Sequence, residues 1–182
     1  MALDELDMSA RPQLDGDATI RLEDFDRLYA AHAPFVWKTL RGLGVARADV
    51  DDAAQEVFLA VYRKLGTFEG RSSLRTWLCG IAVGIARNHT RKTRRREAAS
   101  EQLPSPGAPR TGEATEALDL VGRCLDELDE PLRMVFVLAE LQQLTAPEVA
   151  EVLTVNVNTV YSRLRLARER FEASVARHGG AR

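Results

Sequence analysis

Residues 73–96, SLRTWLCGIAVGIARNHTRKTRRR, carry the stretch of this chain that decides its fold. Leu74, Trp77, Leu78, Ile81, Ala82, Ile85 and Ala86 recur at the three-and-four spacing of one helix face, without the period-two alternation of a strand. That pattern predicts a long helix from Ser73 to Arg96 and, with it, an all-α fold. The helix turns basic toward its end, where Arg87, Arg91, Lys92, Arg94, Arg95 and Arg96 place six cations in ten positions. A basic helix end taken alone reads as a solvated terminus favourable to the dipole. Six cations on a helix that also packs through Trp77, a core position by its spacing, favour contact with phosphates.

Residues 145–171, TAPEVAEVLTVNVNTVYSRLRLARERF, read as two helices joined by a turn. Thr145 and Glu148 have the spacing of a capping box, and Pro147 is tolerated in a first turn. Val149, Ala150, Val152 and Leu153 form a short apolar face. Asn156 suits the N-cap of a second helix, with Val157, Val160, Leu164, Ala167, Phe171 and Val175 in one stripe. Opposite that stripe lie Asn158, Tyr161, Ser162, Arg163, Arg165 and Arg168, all hydrogen-bond donors suited to phosphates or base edges. This second helix has the character of a recognition helix.

Between and around these segments the chain divides into two helical units. Leu22, Phe25, Leu28 and Tyr29 open the first, which is expected to break at Ala33-Pro34, resume through Leu40 and end at Gly42 and Gly44. Asp49, Asp51 and Asp52 suit the positive end of the next helix, whose Ala54, Val57, Phe58, Val61, Tyr62 and Leu65 form the expected buried face up to Gly66. Residues 1–21 are acidic and lack an apolar period, which predicts a disordered tail. The segment 97–116 holds Pro104, Pro106, Gly107, Pro109 and Gly112 and has linker composition. The second unit, 117–176, starts with Leu118, Val121, Leu125 and Leu128. Pro131 opens a further helix carrying Leu132, Val135, Phe136, Ala139 and Leu141, and 177–182 is a short tail.

The 182 residues, 45% of them hydrophobic and 6% aromatic, support one or two small packed domains. The formal net charge of −2 averages opposed regions. Residues 1–26 carry eight acidic side chains against two basic, and residues 113–151 carry ten acidic against Arg123 and Arg133. Surface fields act over about 8–10 Å, so the local distribution selects partners. Acidic surfaces near the basic helix are expected to compete for its arginines and weaken DNA binding by the free protein. Cys79 and Cys124 are isolated thiols of the buried structural kind. His32, His89 and His178 form no triad or metal spacing, and no phosphate-binding glycine loop is present, so no cofactor, metal or catalytic set is expected. The absence of a spanning apolar stretch or signal peptide predicts a cytoplasmic protein without membrane insertion.

Three patterns in series give the chain a family resemblance. Asp49-Val50-Asp51-Asp52-Ala53-Ala54-Gln55-Glu56-Val57-Phe58 is an acidic helix. Phe68-Glu69-Gly70-Arg71-Ser72-Ser73-Leu74-Arg75-Thr76-Trp77-Leu78 is a loop running into the basic helix. Leu128-Asp129-Glu130-Pro131-Leu132-Arg133 precedes the helix-turn-helix with Asn158-Thr159-Val160-Tyr161-Ser162-Arg163-Leu164. In that order and spacing, residues 22–96 and 117–175 resemble an extracytoplasmic-function sigma factor of bacterial RNA polymerase. The resemblance implies that Asp51, Asp52, Gln55 and Glu56 dock on the clamp of the largest polymerase subunit, with a further contact to the flap of the second subunit. It implies that Phe68, Arg71, Arg75, Arg87, Asn88, Arg91 and Lys92 handle the −10 element, partly as single strand, while Asn158, Thr159, Tyr161, Ser162, Arg163 and Arg165 read the −35 duplex. An anti-sigma factor is a further implied partner. The chain departs from the pattern where it has Gly80 for a common basic residue, Gly84 for a common Asn, Tyr161 for Arg or Lys, and Leu166 for a frequent Arg. The competing readings are a helix-turn-helix regulator with a sensing or dimerising first domain, an enzyme, and a sigma-like adaptor without promoter opening.

Overall fold

The structure is a computed structural model that describes residues 25–99 and 113–179. All regular structure among the described residues is helical: α1 (Phe25–Gly42), α2 (Val50–Lys64), a 3-10 turn (Leu65–Thr67), α3 (Leu74–Ala99), α4 (Glu113–Asp126), α5 (Glu130–Phe136), a π-helical turn (Val137–Leu141), α6 (Ala146–Leu153) and α7 (Val157–Gly179). The expected acidic tail, most of the expected linker and residues 180–182 lie outside the described residues. At three ends the helices run past the expected borders: α3 continues to Ala99, α4 begins at Glu113 and α7 reaches Gly179. Nothing in 97–99 or 113–116 breaks a helix, since the prolines lie between them.

The expected break at Pro34 does not occur. Pro34 lies inside a continuous α1. Its missing N–H leaves the Ala30 carbonyl free at an exposed position where water can satisfy it, while Leu28, Val36 and Leu40 anchor both halves in the core. Helix α1 ends as expected at its glycines. The Val45 N–H donates to the Leu40 carbonyl at 3.1 Å and the Gly44 N–H to the Arg41 carbonyl at 3.1 Å, a Schellman closure with Gly44 at φ +93°.

Helix α2 buries Val57, Phe58 and Val61 as its period requires, and the 3-10 turn after it buries Leu65, whereas Ala54 is only partly buried and Tyr62 is 45% exposed. Tyr62 lies at the border of the α1–α2 contact, where Phe25 meets its ring edge-on with centroids 5.3 Å apart and covers only part of it. In the second unit Leu118 and Leu141 are likewise exposed. The π turn shifts the register after Phe136 and rotates Leu141 outward. Phe136 itself stacks on Phe171 of α7 at 4.6 Å, closing the helix-turn-helix core.

The two units pack on each other through one continuous apolar core from Leu28 to Ala167. The N-terminal half of α3 lies against α6, and the end of α1 lies against the π turn. Close approach depends on Gly42, where a Cβ would stand 3.0 Å from Val137 Cγ1. At Gly44 a Cβ would collide with the Arg133 guanidinium. Arg133 is a half-buried cation that pairs with Asp126 at 3.3 Å, and among the described residues its Nε has no partner. Burial first, and the charge of Arg94 across the interface, hold its pKa below the ordinary value. An interface containing such a group is costly to keep closed and correspondingly easy to separate.

Candidate nucleic-acid and protein interface

The acidic residues of α2 project from one exposed stripe. Asp51, Asp52, Gln55 and Glu56 are all exposed on the side away from buried Val57 and Val61. Trp37 Nε1 donates to Asp51 Oδ1 at 2.9 Å, and the His89 ring lies 3.2 Å from Glu56 Oε1. Sequence reasoning missed His89 as part of this face because α3 supplies it from 33 positions away. Leu59 was missed as well. It is 55% exposed one turn beyond Gln55 and Glu56, and its i+3/i+4 spacing from them was the available signal.

The loop before α3 and the helix itself form a second surface. Ser73 caps α3, its Oγ accepting the Thr76 N–H at 3.1 Å. Phe68 is partly buried, with its ring 5.0 Å from Trp77, so the two aromatics brace each other at the base of the loop. Arg71 is exposed and pairs with Glu69 at 3.2 Å. Arg75 lies with its guanidinium 4.4 Å from the Phe35 ring and donates to Gln142 of the second unit at 3.4 Å. Further along, Asn88, Arg91, Lys92, Arg95 and Arg96 line a shallow cationic concavity, and Arg87 is exposed beside it. Cys79 is fully buried beneath this helix, and burial pushes its thiol up to about 12, which makes it an inert packing group.

Gly80 and Gly84 meet no other atoms at the place a Cβ would occupy. Space therefore does not require glycine at either position. Gly80→Arg is expected to stabilise the protein by about 0.5–1 kcal/mol through helix propensity and, by adding a cation to this helix, to tighten binding to a single-stranded DNA oligonucleotide. Thermal melts and fluorescence anisotropy check the two effects; a melting temperature that falls would show that Gly80 has a packing role.

The third surface is the helix-turn-helix. The capping box is present: the Thr145 N–H donates to Glu148 Oε2 at 2.8 Å. The turn closes with Thr154 at φ 56°, a left-handed conformation strained for a β-branched residue. Asn156 caps α7, its Oδ1 accepting the Asn158 N–H at 2.8 Å. Asn158, Tyr161, Ser162 and Arg165 are exposed on the outer face of α7, while Thr159 and Arg163 are half-buried. Arg165 pairs with Glu169 at 2.5 Å, Arg168 with Glu140 at 2.6 Å and Arg170 with Asp129 at 2.5 Å, while Arg177 pairs with Glu127. Much of the acidic charge of this unit thus faces its own basic helix. Across the units, Arg94 of α3 pairs with Glu130 at 3.0 Å.

Glu148 does two jobs at the junction, since its Oε1 also accepts the hydroxyl of buried Thr76 at 2.8 Å. The hydrogen bonds from Thr145, first from the backbone and then from the hydroxyl, and that from Thr76 hold its carboxyl below the ordinary 4.5. A depressed folded-state value stabilises the protein above pH 4.5, and that contribution disappears as pH falls through the lowered value. Acid titration of wild type against Glu148→Gln should therefore show their stability difference shrinking below about pH 4.5. A constant difference would mean that the charge of Glu148 is immaterial to the junction.

Among the described residues no group of His, Cys, Asp and Glu could hold a metal ion, and no helix is long and apolar enough to cross a membrane. The family profile for Sigma-70 region 2 matches residues 28–96, and that for Sigma-70, region 4 matches residues 118–171. The ECF RNA polymerase sigma-E factor of Escherichia coli K12 is 37% identical over 145 residues, covering 72% of this chain and 76% of the relative. The solved structure of CnrH in complex with the cytosolic domain of CnrY superposes with a TM-score of 0.65 at 27% identity, over 85% of this chain and 89% of that one. The sigma factor RpoE of Bartonella quintana, solved with the anti-sigma factor NepR, shares the fold at a TM-score of 0.73 and 20% identity, over 84% and 97% of the two chains. With an acidic helix, a basic helix and a helix-turn-helix matching the two sigma regions in their order, the chain belongs to the extracytoplasmic-function family of sigma factors of bacterial RNA polymerase.

Proposed function

We propose a division of labour among the three surfaces of this sigma factor. The α2 stripe of Asp51, Asp52, Gln55 and Glu56 binds the polymerase clamp. The loop residues Phe68 and Arg71, with Arg75, Arg87, Asn88, Arg91 and Lys92 of α3, hold the −10 element during opening. The outer face of α7, through Asn158, Thr159, Tyr161, Ser162, Arg163 and Arg165, reads the −35 duplex. The observation that carries this reading is the segregation of charge: acidic side chains cluster on α2, whereas exposed cations cluster on the second half of α3 and on α7. Duplex reading needs a helix that fits the major groove, and α7 presents its N-terminal half with its polar face outward. Holding an unpaired strand needs cations along a backbone path beside a shaped loop, which α3 and residues 68–73 supply. The work is binding rather than bond chemistry, carried out in the cytoplasm with core polymerase and promoter DNA, under an anti-sigma factor as regulator.

Run-off transcription with purified core enzyme tests the division. Arg165→Ala should weaken duplex binding, lower its salt dependence by about one unit of slope and leave transcription from a pre-melted promoter largely intact. Equal loss on duplex and pre-melted templates would abolish the distinction between the two DNA surfaces. A helix-turn-helix regulator would instead bind its operator without polymerase, and an adaptor would form holoenzyme without producing run-off transcript.

A further inference from the structure

We propose that His89 and Trp37 are positioning residues for the polymerase-docking face, which they hold in its binding geometry from the two helices flanking α2. The proposal rests on the reading of α2 as the docking helix. A carboxylate has no proton to give, so each ring N–H is the donor: Trp37 Nε1 to Asp51 Oδ1 at 2.9 Å and His89 Nε2 to Glu56 Oε1 at 3.2 Å. The two contacts are independent, one from α1 and the other from α3. They fall on the two ends of the same acidic stripe.

The His89 side chain is only 11% exposed, while that of Glu56 is 55% exposed. The ring is therefore fixed by its surroundings, and it holds one carboxylate oxygen of a side chain that stays largely open to solvent. An exposed glutamate normally samples many rotamers, and that freedom is lost when a partner binds it. Tethering Glu56 and Asp51 in advance removes part of this loss from the docking step. His89 follows Asn88 on α3, but it turns toward α2 while Asn88, Arg91 and Lys92 line the cationic concavity. One helix thus presents DNA-facing side chains on one side and steadies the polymerase-facing side chains of its neighbour on the other.

A merely structural histidine would join α2 to α3 and affect stability alone, so the test separates packing from positioning. His89→Phe keeps a ring and loses the donor, His89→Gln keeps a donor, and Glu56→Ala removes the acceptor. Holoenzyme affinity is measured for the full-length chain with purified core polymerase by competition binding, alongside thermal melts. His89→Phe should weaken affinity about three- to tenfold, His89→Gln should restore much of it, and His89→Phe should cost nothing further in the Glu56→Ala background. Trp37→Phe should show the same dependence on Asp51, tested in an Asp51→Ala background. If Glu56→Ala weakens holoenzyme and His89→Phe does not, or if His89→Phe loses as much with Glu56 absent as with it present, the positioning role is overturned and the docking helix stands. If Glu56→Ala and Asp51→Ala both leave holoenzyme affinity unchanged, the docking reading is overturned and the positioning role with it.

Discussion

Asp52→Lys combined with Glu56→Lys is expected to reduce holoenzyme affinity on the order of 100-fold or more, while leaving a folded, helical protein. The two side chains are exposed one turn apart on α2, and neither contributes to the core of Val57, Phe58 and Val61. The structural cost is confined to the loss of an acidic residue in the first turn of α2, about 0.3–1 kcal/mol, and of the His89–Glu56 contact. Binding suffers far more, because two attractive contacts with a complementary surface become repulsive, and like-charge juxtaposition in an interface costs several kcal/mol. The association rate should fall with affinity and the deficit should shrink at high salt, as screening weakens both attraction and repulsion. Competition with wild-type protein for core polymerase measures the effect. Unchanged affinity in a protein that melts within a few degrees of wild type would remove α2 from the docking surface.

A disulfide joining positions 42 and 137 is expected to abolish transcription from a promoter bearing both elements and to release it on reduction. In a disulfide the Cβ of one cysteine stands about 3 Å from the sulfur of the other, a distance set by the S–S and C–S bonds. A Cβ at Gly42 would lie 3.0 and 3.2 Å from the two Cγ atoms of Val137, so Gly42→Cys with Val137→Cys places a sulfur where bonding requires it. The native thiols Cys79 and Cys124 are buried and do not compete. Locking matters because of dimensions. Elements about 25 base pairs apart are separated by roughly 85 Å at 3.4 Å per pair. A closed body of this size is roughly 40 Å across. The packed arrangement of α3 on α6 therefore cannot reach both elements, and the units must part, giving up the Thr76–Glu148, Arg75–Gln142 and Arg94–Glu130 contacts. Oxidised protein should lose transcription by on the order of 100-fold and regain it with reductant, while its melting temperature rises when oxidised. Full activity of the verified oxidised form would show that the closed arrangement is compatible with initiation.

The same contacts bear on regulation of DNA access. Arg75 is engaged by Gln142, and Arg94 by Glu130, while the closed form lasts; the stacking of Arg75 on Phe35 lies within the first unit. Opening therefore frees cations at both ends of α3, so separation of the units and acquisition of DNA-binding strength are one event. The partly unsatisfied Arg133 at the same interface works against the closed form and keeps it separable.

Local patterns in the sequence determined the elements of this protein. The apolar period of residues 74–86 specified α3, Thr145 with Glu148 specified the start of α6, Asn156 specified the cap of α7, and Gly44 specified the end of α1. Each is set by residues within a few positions of one another, which is the range over which helix period and capping act. The same range made the acidic stripe of α2 and the polar face of α7 legible, since both lie on single helices. Sequence reasoning erred where packing overrode local preference: Pro34 sits within α1 because the core holds both sides of it, and Tyr62 and Leu141 are exposed because neighbouring elements and the π turn leave them at an edge. Only the tertiary structure decided the pairings between distant positions. His89 with Glu56, Trp37 with Asp51, Thr76 with Glu148 and Gly42 against Val137 depend on how helices cross, and the side chains that meet there are 14 to more than 70 positions apart. No periodicity encodes such a meeting, because the free energy that creates it belongs to the shared core and not to the segment.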